Sequence, residues 1–329
     1  MRDETAAKLY AAYGVTPARL LPMQKGYRNE SHPAVLANGQ RLNLIIYKSE
    51  PQIVTRIKNS NAIGDFLHTQ GLPARSTADP RILRLAAAKY AALYHYLPGE
   101  TIPWEGYTQA HLKALGQAMG QMHRALQTMP PRPQLPNVAE EYEAIFARMQ
   151  RYFAGPAVRQ AVQAKLGLAL NNGAIPRAQK LFAACWALPG QQPLHMDFVR
   201  SNVLFAVTPR AEAGAQPATA VTGIIDFEKT GQGHPALDLA RTLAFLLVDC
   251  KYKDPPKIEK YFLHSGYAKR GQAHLRPSRR LLGELITAFL LHDFYKFLRH
   301  NPYESLGQNE HFVRTRKELL KRDVLAETA

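Results

Sequence analysis

Three polar side chains in the stretch LHMDFVRSNVLF, residues 194–205, stand where chemistry could be done: His195, Asp197 and Asn202. They run directly into an apolar segment with the pattern of a strand. A carboxylate at such a place must be paired or must hold something, because burying it alone is too costly. A second strand-like run ends in Ile225-Asp226-Phe227-Glu228. If the two runs pair antiparallel, Asp226 returns beside Asn202 and Asp197. Two carboxylates and an amide oxygen are hard ligands that suit Mg²⁺, which keeps waters and shares its shell with phosphates. Phosphoryl transfer needs those parts: metal ligands, a carboxylate to orient the attacking hydroxyl, and a lysine on the nucleotide phosphates.

The elements that must position these residues are legible in outline. Residues 20–48 read as strands, with Asn38-Gly39 as the hairpin turn. In the second strand Leu42, Leu44, Ile46 and Lys48 share one face. Lys48 read by itself is a strand-end lysine reaching for water. Beside the two acidic motifs, it becomes the phosphate-binding lysine. Ahead of the hairpin, QKGYRNES sets Gly26 and Asn29 at a tight turn between strands. After it, IVTRIKNSNAIGDFLHTQGLP predicts a helix closed by Gly71 and Pro73. A strand from Ala91 to Tyr96 ends at the Pro98-Gly99 breaker, and the lobe boundary is placed between residues 97 and 98.

Beyond that boundary the chain turns helical. Leu112, Leu115, Met119, Met122 and Leu126 recur at helical spacing, with His123 beside them as a core histidine. TMPPRPQLPN reads as a rigid connector and TPRAEAGAQPAT as a mobile surface excursion between the two strands near the acidic motifs. From Pro235 on, the sequence reads as several helices.

Bulk properties narrow the classes. A chain of 329 residues with 46% hydrophobic and 21% charged residues can bury a sizeable core, and two lobes are expected. Its N-terminal residues are charged and lack the apolar run of a secretion signal, and no apolar stretch is long enough to span a bilayer. The two cysteines, Cys185 and Cys250, lack metal spacing and fit a reducing cytoplasm. The net charge of +16 could attract nucleic acid or a polyphosphate. The one dense basic cluster, RTRKELLKRD, carries interleaved acids and no aromatics, which argues against nucleic acid. GxxxxGK[ST] and HExxH motifs are absent.

LHMDFVRSNVLF followed by TGIIDFEKTGQGHPALDLAR resembles the aminoglycoside phosphotransferase and choline kinase-like family. The resemblance implies an α+β, bilobal, protein-kinase-like fold. Residues 1–97 would form a β-rich nucleotide-binding lobe with one main helix, and 98–329 a larger, mostly helical catalytic lobe. It implies ATP and Mg²⁺ as cofactors and a small-molecule hydroxyl as acceptor. Asp197 would orient or deprotonate that hydroxyl, Asn202 and Asp226 would bind Mg²⁺, and Lys48 would meet the α- and β-phosphates. Tyr94, Tyr96 and Leu97 would belong to the hinge that meets adenine, and Gly26 and Asn29 to the phosphate turn. His195 and Asp238 would brace the catalytic loop. Glu228 follows the family's IDFE pattern, with a supporting role at most.

Arg200, three residues after Asp197, is assigned from its position: its guanidinium would neutralise charge on the transferring phosphate, or else sit on the surface. Two departures stand out. The helix after Lys48 lacks the glutamate expected to pair with it, leaving Asp65 or Glu50 as substitutes, and the KGYRNES turn has a single glycine. Only eleven residues separate Asp226 from Asp238, too few for a peptide-binding platform. Amino alcohols, aminoglycosides and sugars remain as acceptors. Asp293 is either part of an acidic acceptor patch or the partner of Lys296 or Arg299. A catalytically silent ATP-binding module and a basic nucleic-acid binder are the competing readings.

Overall fold

The computed structural model describes residues 2–26, 29–130, 135–208, 218–250, 253–270 and 277–328. The centre of the proline-rich connector and the excursion at 209–217 lie outside the described residues. The chain groups into two units, residues 1–101 with 201–229, and residues 102–200 with 230–329. The sequence division at 97/98 leaves the 203–224 hairpin in the second lobe, whereas here it joins the first unit. The reason is backbone pairing: Glu100 and Phe205 exchange hydrogen bonds, and Ala74 bridges Ile224.

The first unit opens with helix α1 (Arg2–Ala12) and short strands β1 (Arg19–Leu20) and β2 (Gln24–Lys25). Strands β3 (Glu30–Val35) and β4 (Arg41–Tyr47), helix α2 (Ile53–Thr69), and strands β5 (Thr77–Arg84) and β6 (Tyr90–His95) follow. The sheet runs β1-β3-β4-β6-β5 with β2 on β3, every pair antiparallel. The Asn38-Gly39 turn forms as the sequence requires, with Gly39 at φ +82° and the Gln40 N–H on Asn38 Oδ1. Alternation along β4 divides the core. Leu42, Leu44 and Ile46 pack with Tyr10 of α1 and Tyr13 just after it, while Ile45 and Tyr47 pack with Ile53 and Ile57 of α2. These two tyrosines also pin the sheet: Tyr10 donates to the His32 carbonyl at 2.7 Å and Tyr13 to that of Ala91 at 2.8 Å.

The second unit begins with α3 (Gln109–Gln127), α4 (Val138–Ala154), α5 (Pro156–Leu166), strand β7 (Leu168–Leu170), α6 (Ala174–Trp186) and strand β8 (Gln192–Leu194). The chain then contributes β9 (Val203–Thr208) and β10 (Ala218–Ile224) to the first unit. It returns as strand β11 (Gly231–Gly233), which pairs with β8, and helix α7 (Pro235–Asp249). Helix α8 (Pro255–Glu259) continues through a π-helical stretch (Lys260–Tyr267) into α9 (Ala268–Arg270). Last come α10 (Arg279–His300), α11 (Tyr303–Leu306), α12 (Glu310–Leu320) and strand β12 (Leu325–Glu327), which pairs with β7.

Side-chain caps mark the starts of several helices. Thr108 and His111 form a capping box on α3, Asn137 caps α4 and Ser278 caps α10. Tyr142 and Phe146 of α4, Phe182 of α6 and Phe289 of α10 form an aromatic knot, the Tyr142 and Phe182 rings stacked at 4.7 Å. A side chain at Gly116 would run into the Phe262 carbonyl, so α3 and the π-helical stretch meet backbone to backbone. In α12 and the residues after it the basic cluster is engaged internally: Arg316 pairs with Glu327, Lys321 and Arg322 with Glu318, and Arg314 bonds the Leu247 carbonyl. Cys185 and Cys250 are buried free thiols.

Candidate active site

In the second unit the loop carrying Asp197 is held by a buried carboxylate. Asp238, in the first turn of α7, accepts the backbone N–H of His195 at 2.8 Å and that of Met196 at 2.7 Å. His123 of α3 approaches the same carboxylate through Nε2 at 3.1 Å and meets the Tyr267 hydroxyl through Nδ1 at 3.0 Å. Burial pushes the Asp238 carboxyl up, but the His123 bond, the nearby His195 and the amide donors outweigh it and leave it below the usual carboxylate range. The His195 ring accepts the Asp197 N–H at Nδ1 (3.3 Å) and stands edge-on to Phe198. His195 therefore props the loop from inside, and Asp197 itself is buried.

Arg200 is neither loose on the surface nor wholly buried. Its Nε donates to Asp249 at the end of α7, 3.2 Å away, with the side chain 30% exposed. Asp293 makes the expected ion pair with Lys296 at 3.8 Å, but its closest partner is one the sequence does not suggest: both of its oxygens accept from Arg241, at 2.7 and 3.1 Å. Burial pushes the Asp293 carboxyl up, yet Arg241 more than offsets it and holds it ionised. The Arg241 guanidinium also lies within electrostatic reach of Asp197.

In the first unit, β9 and β10 pair antiparallel from Val203–Ile224 outward, so the hairpin does bring its two polar ends together. The Ile225 N–H donates to the Asn202 carbonyl at 3.0 Å, and the next residue, Asp226, adopts a left-handed backbone at φ +67°. Among the described residues no group of three or more His, Cys, Asp or Glu side chains could hold a metal ion. One amide and one carboxylate fit Mg²⁺ when the rest of its shell is phosphate and water.

The nucleotide-side residues are placed as follows. Gly26 and Asn29 close a turn, N–H to carbonyl, at 2.9 Å between β2 and β3. Tyr94 lies within β6, and its side chain is buried against α2. The Tyr96 N–H bonds the Arg41 carbonyl, while neither backbone group of Leu97 has a partner among the described residues. Lys48 is exposed, one residue beyond β4 and in phase with its α1-facing side chains. Of the two substitute acids, Asp65 gives both oxygens to Thr77 (2.6 and 2.8 Å), and Glu50 has Arg56 at 3.5 Å.

Comparison with known proteins decides the family. The model of the phosphotransferase enzyme family (APH) matches residues 29–252, from β3 through α7. The chain belongs to the phosphotransferase enzyme family. No curated protein matches it in sequence. An amicoumacin kinase, hAmiN, solved with AMP-PNP and Ca²⁺, has its fold at a TM-score of 0.67 and 15% identity, over 98% of this chain and 96% of that one. A microcompartment-associated aminopropanol kinase matches with a TM-score of 0.67 at 14% identity, over 99% of each chain. Macrolide 2'-phosphotransferase MphH from Brachybacterium faecium gives 0.57 at 15% identity, over 96% and 97%. At such identities the shared property is the fold.

Within this phosphotransferase His123 is the satisfied core histidine the sequence predicts, and its ring reaches Asp238. The sequence reading overlooked Arg241, which neutralises Asp293. The DLAR sequence offered a clue, since Arg241 lies close to one helical turn beyond Asp238. Arg75 and Glu228, 153 residues apart, form a buried ion pair at 2.6 Å in the first unit. No local pattern announces such a pair.

Proposed function

We propose that this phosphotransferase moves the γ-phosphate of Mg-ATP to a hydroxyl of a small molecule of the amino alcohol, aminoglycoside or sugar type. Asp197 orients that hydroxyl and takes its proton as the oxygen attacks phosphorus. The bond from phosphorus to the β–γ bridging oxygen breaks, and ADP leaves. Positioning does most of the work, as in phosphoryl transfer generally. Asn202 and Asp226 hold the metal, which supplies charge neutralisation on the phosphates when bound. Lys48 adds a cation at the α- and β-phosphates, the Gly26–Asn29 turn borders them, and the free backbone groups of Leu97 serve the adenine edge, with Tyr94 and Tyr96 beside it. Arg200, anchored through Nε, keeps its outer nitrogens for the transferring phosphate. The two buried free thiols suit a reducing, cytoplasmic setting.

The observation that carries this reading is the end of the β9–β10 hairpin, where the Ile225 amide is tied to Asn202 and Asp226 turns into a left-handed conformation. Aspartate is one of the few non-glycine residues that accept this conformation, and residues held in it concentrate at functional sites. ADP release from Mg-ATP, against a panel of amino alcohols, aminoglycosides and sugars, tests it. Turnover on one class that disappears in Asp197→Ala supports the reading and names the acceptor class. ATP hydrolysis or transfer that persists undiminished in Asp197→Ala would remove Asp197 from its role.

A further inference from the structure

The buried cation–carboxylate tie of the first unit is not on β4. Tyr47, the last residue of that strand, faces α2, and its hydroxyl meets that of Tyr94 at 2.7 Å. The Tyr94 hydroxyl donates in turn to Asn61 of α2 at 2.8 Å. Above the Tyr94 ring, at 4.6 Å, lies the guanidinium of Arg75. Arg75 is 6% exposed, and its Nη2 donates to Glu228 at 2.6 Å and to Ser60 of α2 at 2.8 Å. A planar, permanently charged group that can stack and donate in several directions is what such a crossing point requires, and lysine would not replace it.

The segment around Arg75 grips the hairpin end on both sides of Asp226. Before Asp226, the Arg75 N–H donates to the Ile224 carbonyl at 2.9 Å, and the Ile224 N–H donates to the Pro73 carbonyl at 2.7 Å. After it, the Arg75 side chain holds Glu228. Helix α2 is pressed against the same segment, because a side chain at Gly64 would overlap the Arg75 carbonyl oxygen. A left-handed residue clamped on both flanks keeps one orientation of its carboxylate.

The geometry points to Arg75 as the positioning residue for Asp226, acting through Glu228 and coupling the metal-binding turn to α2. This rests on the reading of Asp226 as a metal-holding residue. Arg75 thereby does from the segment ahead of β5 what a glutamate on α2 and a lysine on β4 would do together: it ties helix, sheet and acidic turn into one arrangement.

The test reads metal-dependent nucleotide affinity, not turnover. AMP-PNP binding is titrated calorimetrically across a Mg²⁺ series, and the quantity compared is the Mg²⁺ concentration giving half of the gain in affinity. Arg75→Met and Glu228→Gln should raise this midpoint about tenfold, the usual effect of removing a group that orients a metal ligand. Arg75→Lys should fall between them and the wild type. Tyr10→Phe, which loosens the α1 face, should leave the midpoint unchanged. If Arg75→Met does not fold, Glu228→Gln and Ser60→Ala decide by the same rule. A folded Arg75→Met, or in its place a folded Glu228→Gln, with the wild-type midpoint overturns the inference. Asp226→Asn separates the two claims: if it leaves the midpoint unmoved, the metal site itself is misread. If it moves the midpoint and Arg75→Met does not, only the role of Arg75 fails.

Discussion

Met196 holds a left-handed backbone, φ +58°, and its N–H is bound at 2.7 Å by a carboxylate oxygen of Asp238. A methionine in that conformation costs on the order of 1–2 kcal/mol. A charge-assisted hydrogen bond in a buried setting contributes about as much or more, so Asp238 fixes the bend that precedes Asp197.

Replacing Asp238 by Asn should therefore destabilise the fold by about 1.5–3 kcal/mol, the range for hydrogen bonds to charged groups. Urea denaturation followed by circular dichroism reads this directly. A variant as stable as the wild type would show that the loop holds its shape without the carboxylate.

The same residue carries a pH signature. Its folded-state pKa is depressed, so the unfolded chain binds the proton more readily. Its contribution is fully present above the unfolded carboxyl value of about pH 4 and is lost as pH falls through the lower folded value. Wild-type stability should drop in that acid window more steeply than that of Asp238→Asn. Parallel curves for the two proteins would contradict it.

Gly99 allows a close crossing in the first unit. It sits at φ +108°, and a side chain there would run into the Thr222 hydroxyl and the Phe205 carbonyl. Thr222 donates to the Pro98 carbonyl at 2.7 Å at the same place. Gly99→Ala combines overpacking with an unfavourable backbone and should cost about 2–4 kcal/mol. Thermal unfolding measures the loss, and a melting temperature within a degree or two of the wild type would count against the crossing.

Arg241 and Asp293 form a buried pair, and removing one partner strands the other charge. Asp293→Asn should cost about 3–5 kcal/mol, whereas the paired replacement Arg241→Met with Asp293→Leu should recover most of it. A double mutant no more stable than Asp293→Asn would mean that the pair does not act as a unit.

Arg200→Ala should lower turnover about 100-fold, the scale of losing one donor to a developing charge, while leaving AMP-PNP affinity unchanged. Steady-state kinetics and equilibrium binding separate these effects. Equal losses in both would make Arg200 an anchor for Asp249 and nothing more.

Much of this was legible in the sequence because it depends on local pattern. The Asn38-Gly39 hairpin, the helix after β4, α3 and the β9–β10 pair follow from turn chemistry and periodicity. What was not legible depends on contacts between distant segments. Asp293 pairs with Lys296 at helical spacing, yet its closest partner is Arg241, on another helix. Asp65 sat on the right helix but is consumed by Thr77. Alternation along β4 gives the α2-facing place to Tyr47 rather than Lys48, and the cation buried on that side is Arg75. A glutamate missing from α2 could be read as a gap, but the residue that spans it could not be found without the fold.

The central claim is transfer of the γ-phosphate to an acceptor hydroxyl under the control of Asp197. ³¹P NMR of Mg-ATP with the acceptor that gives ADP release follows that transfer atom by atom. The account predicts a new phosphomonoester resonance growing in step with ADP for the wild-type enzyme, and its absence for a folded, ATP-binding Asp197→Ala. Inorganic phosphate as the only product, or the same phosphomonoester from Asp197→Ala at the wild-type rate, would contradict it.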